Sequence, residues 1–317
     1  MKVQKLLRLQ RAFDDSRGIS NLPEPENVVG GDALARLEFA LIGLTGEVGE
    51  IANVIKKARR ARALGKTDEL AALAGLGAEI ADVLSYLLKL AYQADINPGR
   101  EYLGKMCRNA HRFWRTERGS ALSVSGPPGS GKSTVVEALG SAFSDDAVYL
   151  ERFEQNPYLG SLDRPNPDFD AASSQRWFLD AMASFIAQAP LTTLLLDQDP
   201  TAIALVYGQL LFDRQLISPQ KFEDHLSALL ELEIDEASKL AGRTVILLDA
   251  PAETLAQRCV RKVGPSLGVD FLEEARGRFA MVFGGLPNVI TVDASRPVGA
   301  VVADVRAHAE ALQPSCA

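Results

Sequence analysis

The sequence predicts two domains, an all-α helical bundle over residues 1–117 and an α/β domain with a parallel sheet over residues 118–317. Before residue 118, apolar residues recur at threes and fours, which is typical of amphipathic helices. After it, short apolar runs alternate with helical patterns, which favours a parallel sheet with helices on both faces. A composition of 47% hydrophobic and 24% charged residues suits a globular chain that buries two such cores.

Four helices are predicted in the first domain, over residues 2–14, 33–62, 69–94 and 101–115. The segment Asn97-Pro98-Gly99 separates the last two. The second helix has the clearest apolar stripe, formed by Leu34, Leu37, Leu41, Leu44, Val48, Ile51 and Ile55. This spacing places the stripe on one helix face, which we expect to pack against a neighbouring helix.

Four acidic residues interrupt the apolar faces of the two long helices. Glu47 and Glu50 are three residues apart, as are Glu79 and Asp82, so each pair shares a helix face. Two antiparallel helices with these faces paired would gather four carboxylates, and such an all-oxygen site suits Mg²⁺ or Mn²⁺. The alternative is that the acids face water or pair with lysines further along the helix, and spacing alone does not separate the two.

Three segments, LTGEVGE (44–50), EIADVLSYLL (79–88) and KMCRNAHR (105–112), resemble the two metal helices and the closing stretch of the MazG-like all-α nucleoside triphosphate pyrophosphohydrolases. The resemblance covers residues 1–115. It implies Mg²⁺-dependent hydrolysis of a (deoxy)nucleoside triphosphate to a monophosphate and pyrophosphate, in a dimer or tetramer assembled through this domain. It further implies that Glu47, Glu50, Glu79 and Asp82 hold metal, and that Lys105, Asn109 and Arg112 contact phosphate or sugar. We expect loss of the Glu50 carboxylate to abolish this hydrolysis.

A phosphate-binding loop opens the second domain. Residues 126–133, GPPGSGKS, fit the pattern Gly-x₄-Gly-Lys-Ser/Thr between an apolar run and a helical run. Backbone N–H groups of such a loop converge on phosphate oxygens at a helix N-terminus. The sequence therefore predicts that ATP binds at Gly126, Gly129, Ser130, Gly131, Lys132, Ser133 and Thr134. Lys132 would reach the β- and γ-phosphates, and Ser133 would bind Mg²⁺.

Acidic residues follow the next strands, and the carboxyl ends of parallel strands are where active residues cluster. The segments ERFEQNPYL (151–159) and QRWF (175–178) resemble those of the bacterial deoxynucleoside kinases of the P-loop superfamily. The resemblance implies ATP as phosphoryl donor, Glu151 as the base facing the sugar 5′-hydroxyl, and Gln175 pairing with the nucleobase. It also implies that Arg258 and Arg261 close on the phosphates. We assign Asp197, at the end of the third strand, to the metal site.

The third strand departs from this family's pattern, because it ends in Asp197-Gln198-Asp199 where the family has Asp/Glu-Arg-Ser. A cation missing beside the phosphates weakens transfer, since such electrostatic terms are often worth about 3 kcal/mol. Arg152, at the neighbouring strand end, is one replacement. Two functions remain open: a bifunctional enzyme that hydrolyses one nucleotide and phosphorylates a deoxynucleoside or nucleotide, and a pyrophosphohydrolase regulated by a non-catalytic nucleotide-sensing P-loop domain.

The charge distribution indicates small-molecule partners. Residues 1–118 carry 19 basic and 15 acidic side chains and the remainder 15 and 26, so the two parts have net charges of +4 and −11. Nucleic-acid binding needs clustered positive charge, so we expect nucleotides and nucleosides rather than nucleic acid. Three widely spaced cysteines, and the lack of a signal peptide or an apolar run of about 18 residues, predict a cytoplasmic protein without a membrane partner.

Overall fold

The computed structural model of the protein describes residues 3–16, 33–65, 73, 75–112, 121–159, 170–263 and 267–312. The chain divides into two compact units, Met1–Tyr102 and Leu103–Ala317. Among the described residues, no helix is both long enough and apolar enough to cross a membrane.

The first unit is helical, as the sequence predicts. It contains α1 (Val3–Ser16), α2 (Ala33–Ala63), α3 (Leu76–Gln93) and the first turn of α4 (Pro98–Arg112). Helices α2 and α3 pack side by side: Gly43 lies against the Tyr86 ring, and Glu47 lies near Glu79 and Asp82. The later residue on α2, Glu47, meets earlier residues of α3 than Gly43 does, so the two helices are antiparallel.

A buried carboxylate fixes α1 to α3. The Asp14 side chain is 1% exposed, and it accepts hydrogen bonds from the Tyr92 hydroxyl at 2.6 Å and from Gln10 Nε2 at 3.1 Å. The ammonium of Lys89 lies 3.6 Å from the same carboxylate. Because a buried carboxylate is tolerated only when it is paired, these contacts specify how the two helices meet.

The apolar stripe of α2 is only partly covered. Leu34, Leu41, Val48 and Ile55, which are seven residues apart, are 61%, 54%, 51% and 50% exposed. The intervening residues Leu37, Leu44 and Ile51 are partly buried. The stripe thus has one row that packs within the unit and one row that faces outward, whereas we expected a single buried face.

The second unit contains the parallel sheet that the sequence predicts. Its strands are β1 (Ala121–Ser125), β2 (Val148–Tyr149), β3 (Leu194–Asp197), β4 (Thr244–Asp249) and β5 (Val289–Asp293). They lie in the order β2-β3-β1-β4-β5, and every neighbouring pair is parallel. Val124 pairs with Asp197 and with Ile246, so the carboxyl ends of the three central strands lie side by side.

Helices cover both faces of this sheet. They are α5 (Lys132–Gly140), α6 (Ala171–Gln188), α7 (Gln209–Asp213), α8 (Pro219–Asp235), α9 (Ala237–Leu240), α10 (Ala252–Val263), α11 (Val269–Phe283) and α12 (Val298–Leu312). A π-helical segment, Ala202–Gly208, leads into α7. Leu194 and Leu196 belong to one core cluster and Leu195 to another, because successive strand residues point to opposite faces.

Helix α4 contributes to the second unit from Leu103 onward. Cys107 is 1% exposed within that unit's core, and its thiol donates a hydrogen bond to the Leu226 carbonyl at 3.4 Å. The division between compact units therefore falls inside this helix. The predicted domain boundary, 117/118, falls outside the described residues.

Candidate functional site

The phosphate loop follows β1 and ends where α5 begins. Gly126, Gly129 and Gly131 have φ values of +148°, +80° and +95°. A Cβ at Gly126 would collide with the Leu248 carbonyl, and one at Gly129 would lie 2.6 Å from the Leu255 carbonyl. Glycine is therefore required at both positions, for its backbone conformation and for the close approach of neighbouring backbone.

Two side chains converge on one carbonyl of this loop. Lys132 Nζ donates to the Gly126 carbonyl at 2.9 Å and to the Pro127 carbonyl at 3.3 Å, so the lysine folds back over the loop. The Tyr207 hydroxyl donates to the same Gly126 carbonyl at 3.1 Å. The Ser130 hydroxyl is buried and has no hydrogen-bond partner among the described residues, and a phosphate oxygen would supply one. These features fit a bound triphosphate.

Two carboxylates lie at the carboxyl ends of the neighbouring strands. The Glu151 amide donates to Asp197 Oδ2 at 3.4 Å, and Asp197 is 1% exposed. Burial and the negative charge of Asp197 raise the pKa of Glu151 to about 7, and the nearby Lys132 opposes the rise. The structure thus brings together Glu151, Asp197 and Lys132, which the sequence assigns to base, metal and phosphate binding. A carboxylate with this pKa can accept a proton near neutral pH.

Gln175 is half-buried on α6, next to a contact that fixes its helix to the segment after β2. Asn156 Nδ2 donates to the Ser174 carbonyl at 3.2 Å and to Ser174 Oγ at 3.1 Å. Asn156 Oδ1 accepts a hydrogen bond from the Tyr158 amide at 3.0 Å. The asparagine, which is 5% exposed, therefore couples the segment that carries Glu151 to the helix that carries Gln175.

Gln198, at the position of the expected arginine, lies beneath the phosphate loop. It has a φ of +90° and is 2% exposed, and its backbone N–H donates to the Val124 carbonyl at 2.9 Å. Its side chain accepts a hydrogen bond from Ser125 Oγ and makes another with Tyr207. Gln198 therefore contacts the end of β1, just before the loop, and Tyr207, so an uncharged side chain stands where an arginine was expected.

Asp199 belongs to a buried ionic network. Arg243, 0% exposed, pairs with Asp199 at 2.6 Å and with Glu233 at 2.6 Å, and it donates to Thr201 Oγ1 at 3.0 Å. Buried ions of both signs are tolerated only when paired, so this network fixes the start of the π-helical segment against α8 and β4.

Two arginines lie near the strand ends. Arg152 lines a 510 Å³ cavity at the β2 edge together with residues of α5 and α6, among them Glu137 and Phe185. Arg276, on α11, makes a two-pronged ion pair with Asp249 at the end of β4, at 2.8 and 3.0 Å. The sequence did not point to Arg276, because no motif spans the distance between α11 and β4.

The arginines assigned to the phosphates lie on α10. Arg258 donates to the Ala294 carbonyl at 2.7 Å and to the Ser295 carbonyl at 3.4 Å, in the loop after β5. The side chain of Arg261 lies outside the described residues. Closure of these two arginines on the phosphates stays a prediction.

In the first unit, three of the four predicted metal ligands lie together. Carboxylate oxygens of Glu47, Glu79 and Asp82 lie within 4.8 Å of one another, an all-oxygen donor set that fits Mg²⁺ or Mn²⁺. The group does not include Glu50, which is exposed.

The predicted phosphate or sugar ligands are on α4. Lys105 is exposed and Asn109 half-buried, both on the part of the helix that belongs to the second unit. The side chain of Arg112 lies outside the described residues. The roles of all three stay predictions.

No protein-family model and no curated protein matches the chain. Solved structures of a deoxyadenosine kinase from M. mycoides are similar to about the C-terminal 60% of it. The structure with bound dCTP is 14% identical, has a TM-score of 0.48, and covers 60% of this chain and 99% of its own. The structure with the products dCMP and a flexible dCDP is 16% identical, has a TM-score of 0.46, and covers 61% of this chain and 100% of its own. The structure with bound dATP is 16% identical, has a TM-score of 0.48, and covers 60% of this chain and 99% of its own.

Proposed function

We propose that the second unit transfers the γ-phosphoryl group of ATP to the 5′-hydroxyl of a deoxynucleoside or to the 5′-phosphate of a nucleotide. The observation that carries this proposal is the position of Glu151, a carboxylate with a pKa of about 7, beside Asp197 and the lysine of a phosphate loop. Phosphoryl transfer needs few covalent steps from the protein, and its catalysis is mostly positioning and charge neutralisation.

Each residue then has one role. Lys132 leaves the loop carbonyls and binds the β- and γ-phosphates. Glu151 accepts the proton of the attacking 5′-hydroxyl, and Gln175 pairs with the nucleobase. Ser133 and Asp197 would hold the Mg²⁺ that neutralises charge on the triphosphate when bound.

The test is ADP formation from MgATP with each deoxynucleoside and deoxynucleoside monophosphate offered in turn. Glu151→Gln should reduce kcat by roughly 10² to 10⁴ while ATP still binds. Lys132→Ala should weaken ATP binding itself, whereas Lys221→Ala, which removes an exposed cation on α8, should change neither quantity. Binding of ATP without ADP formation from any acceptor would contradict the transfer activity and favour a nucleotide-sensing domain.

The first unit favours a second activity, hydrolysis of a (deoxy)nucleoside triphosphate to a monophosphate and pyrophosphate. Its support is the group of three carboxylates, Glu47, Glu79 and Asp82, on two antiparallel helices. These three would hold the divalent cation. Glu50 lies outside the group and so is available to take the proton of the attacking water.

Substitutions at Glu79 and Glu50 should therefore affect metal binding and proton transfer separately. Glu79→Gln should weaken Mn²⁺ binding, measured by calorimetry, and abolish pyrophosphate release from the susceptible nucleotide. Glu50→Gln should abolish pyrophosphate release but leave Mn²⁺ affinity within about twofold, since it removes no member of the group. Equal loss of Mn²⁺ affinity in both variants would return Glu50 to the ligand set. If no nucleotide yields pyrophosphate with the wild-type protein, the hydrolase proposal fails.

A further inference from the structure

Tyr207 shares its hydrogen-bond acceptor with the lysine of the phosphate loop. Both Lys132 Nζ and the Tyr207 hydroxyl donate to the carbonyl of Gly126, at 2.9 and 3.1 Å, and Gly126 is buried. A lysine that binds the β- and γ-phosphates directs its N–H donors at phosphate oxygens and leaves this carbonyl. The tyrosine hydroxyl is then the donor that remains on it.

The surroundings of Tyr207 hold its ring in one place. The ring meets Phe279 edge to face, with centroids 5.8 Å apart, and the rest of the π-helical segment that carries it is buried. Irregular helical turns of this kind are frequent at functional sites.

Gln198 completes the arrangement from below the loop. Its side chain hydrogen-bonds Tyr207 and accepts from Ser125 Oγ, the residue just before Gly126. It does so from a φ of +90°, a backbone conformation that costs a non-glycine residue strain.

We propose that Tyr207, oriented by Gln198, is a positioning residue for nucleoside triphosphate binding: its hydroxyl keeps the buried Gly126 carbonyl hydrogen-bonded while Lys132 turns to the phosphates. This rests on the proposed ATP binding by the second unit. The inference goes beyond ATP binding because it gives two uncharged side chains, Tyr207 and Gln198, a role in supporting the phosphate loop. Gln198 stands at the position where an arginine was expected after the third strand.

The experiment measures MgATP affinity by calorimetry in the full-length protein, without an acceptor present. Tyr207→Phe keeps the ring but leaves the Gly126 carbonyl unpaired whenever Lys132 binds phosphate, so Kd should rise roughly tenfold. In the transfer reaction, KM for ATP should rise in parallel, with kcat at saturating ATP and KM for the acceptor unchanged. Gln198→Met should weaken ATP binding in the same direction, which tests the arrangement through a second residue.

Tyr149→Phe is the matched control, because it removes the hydroxyl of a second tyrosine, one that is buried close to Glu151 and Asp197. Its MgATP affinity should equal that of the wild type. Equal affinities for Tyr207→Phe and wild type would overturn the inference, as would a change confined to the KM of the acceptor. A wild-type protein that binds ATP but transfers nothing would refute only the transfer activity, whereas one that does not bind ATP would refute both.

Discussion

Glu151 shows how position alone sets the chemistry of a side chain. An ordinary glutamate loses its proton well below neutral pH, but burial and the charge of Asp197 raise the pKa of this one to about 7. The nearby Lys132 keeps the rise from being larger. A carboxylate whose pKa is raised by burial and by a specific charged neighbour is a frequent sign of an acid–base site.

This pKa makes stability depend on pH in a predictable direction. The folded state holds the Glu151 proton more tightly than the unfolded state does, so the protonated form stabilises the protein below about pH 4.5. That contribution is lost as pH rises through about 7. Glu151→Gln cannot ionise, so its melting temperature should exceed the wild type's at pH 8 and match it near pH 4.

The measurement is thermal unfolding of both proteins from pH 4 to 8 without nucleotide. A difference in melting temperature that does not change across this range would contradict the raised pKa.

Some of the important residues could be recognised from the sequence, and others could not. The glycines, Lys132 and Glu151 are readable because their roles depend on neighbours a few positions away. Tyr207 and Arg243 are not, because their partners are far along the chain: Tyr207 donates to Gly126, and Arg243 pairs with Asp199. Only folding brings these groups together.

At the scale of elements, apolar periodicity predicted the helices and strands well and the special segments poorly. The apolar runs at 121–125, 147–150, 191–196, 244–248 and 288–292 each overlap the strand observed there, although β3, β4 and β5 each end one residue later than the run. The π-helical segment Ala202–Gly208 was not predicted, since its apolar residues fit an ordinary helix equally well. Likewise, the stripe on α2 indicated a helix but not that half of the stripe would stay exposed.

The contact between α2 and α3 gives a test at this scale. Gly43 lies against the Tyr86 ring, so a methyl group at position 43 would force the ring to move. Gly43→Ala should therefore lower the free energy of unfolding. Gly46→Ala, one turn along the same helix with nothing within 4 Å of the added atom, should raise it by roughly 0.5–1 kcal/mol, because alanine is the better helix former.

Urea unfolding followed by circular dichroism would report both variants. If both glycine substitutions stabilise the protein, the close packing of α2 on α3 is wrong.

At the scale of the whole molecule, the exposed row of α2 bears on assembly. Leu34, Leu41, Val48 and Ile55 repeat every seven residues, the spacing at which one helix packs along another. Exposed apolar rows of this length commonly mark an interface. We therefore expect the first unit to join a second copy of the chain, in agreement with the oligomer that the resemblance implies.

Light scattering of the full-length protein tests this expectation. Leu41→Lys should shift the mass toward that of a single chain. Leu191→Lys, which alters a residue that is 77% exposed in the second unit, should leave the mass unchanged. A wild-type protein with the mass of one chain would refute the predicted assembly.

The order of the strands has a consequence for aggregation. The inner strands β3 and β4 carry runs of leucine, isoleucine and valine. Segments of this kind associate with the same segments of other chains when they are exposed in an incompletely folded protein. The sheet ends instead at β2, which has two residues, and at β5, where Thr291 and Asp293 are exposed. Short and polar edges offer a poor template for an incoming strand. The folded protein should therefore not aggregate by strand pairing at its sheet edges. Aggregation should instead start from newly made chains whose inner strands have not yet paired.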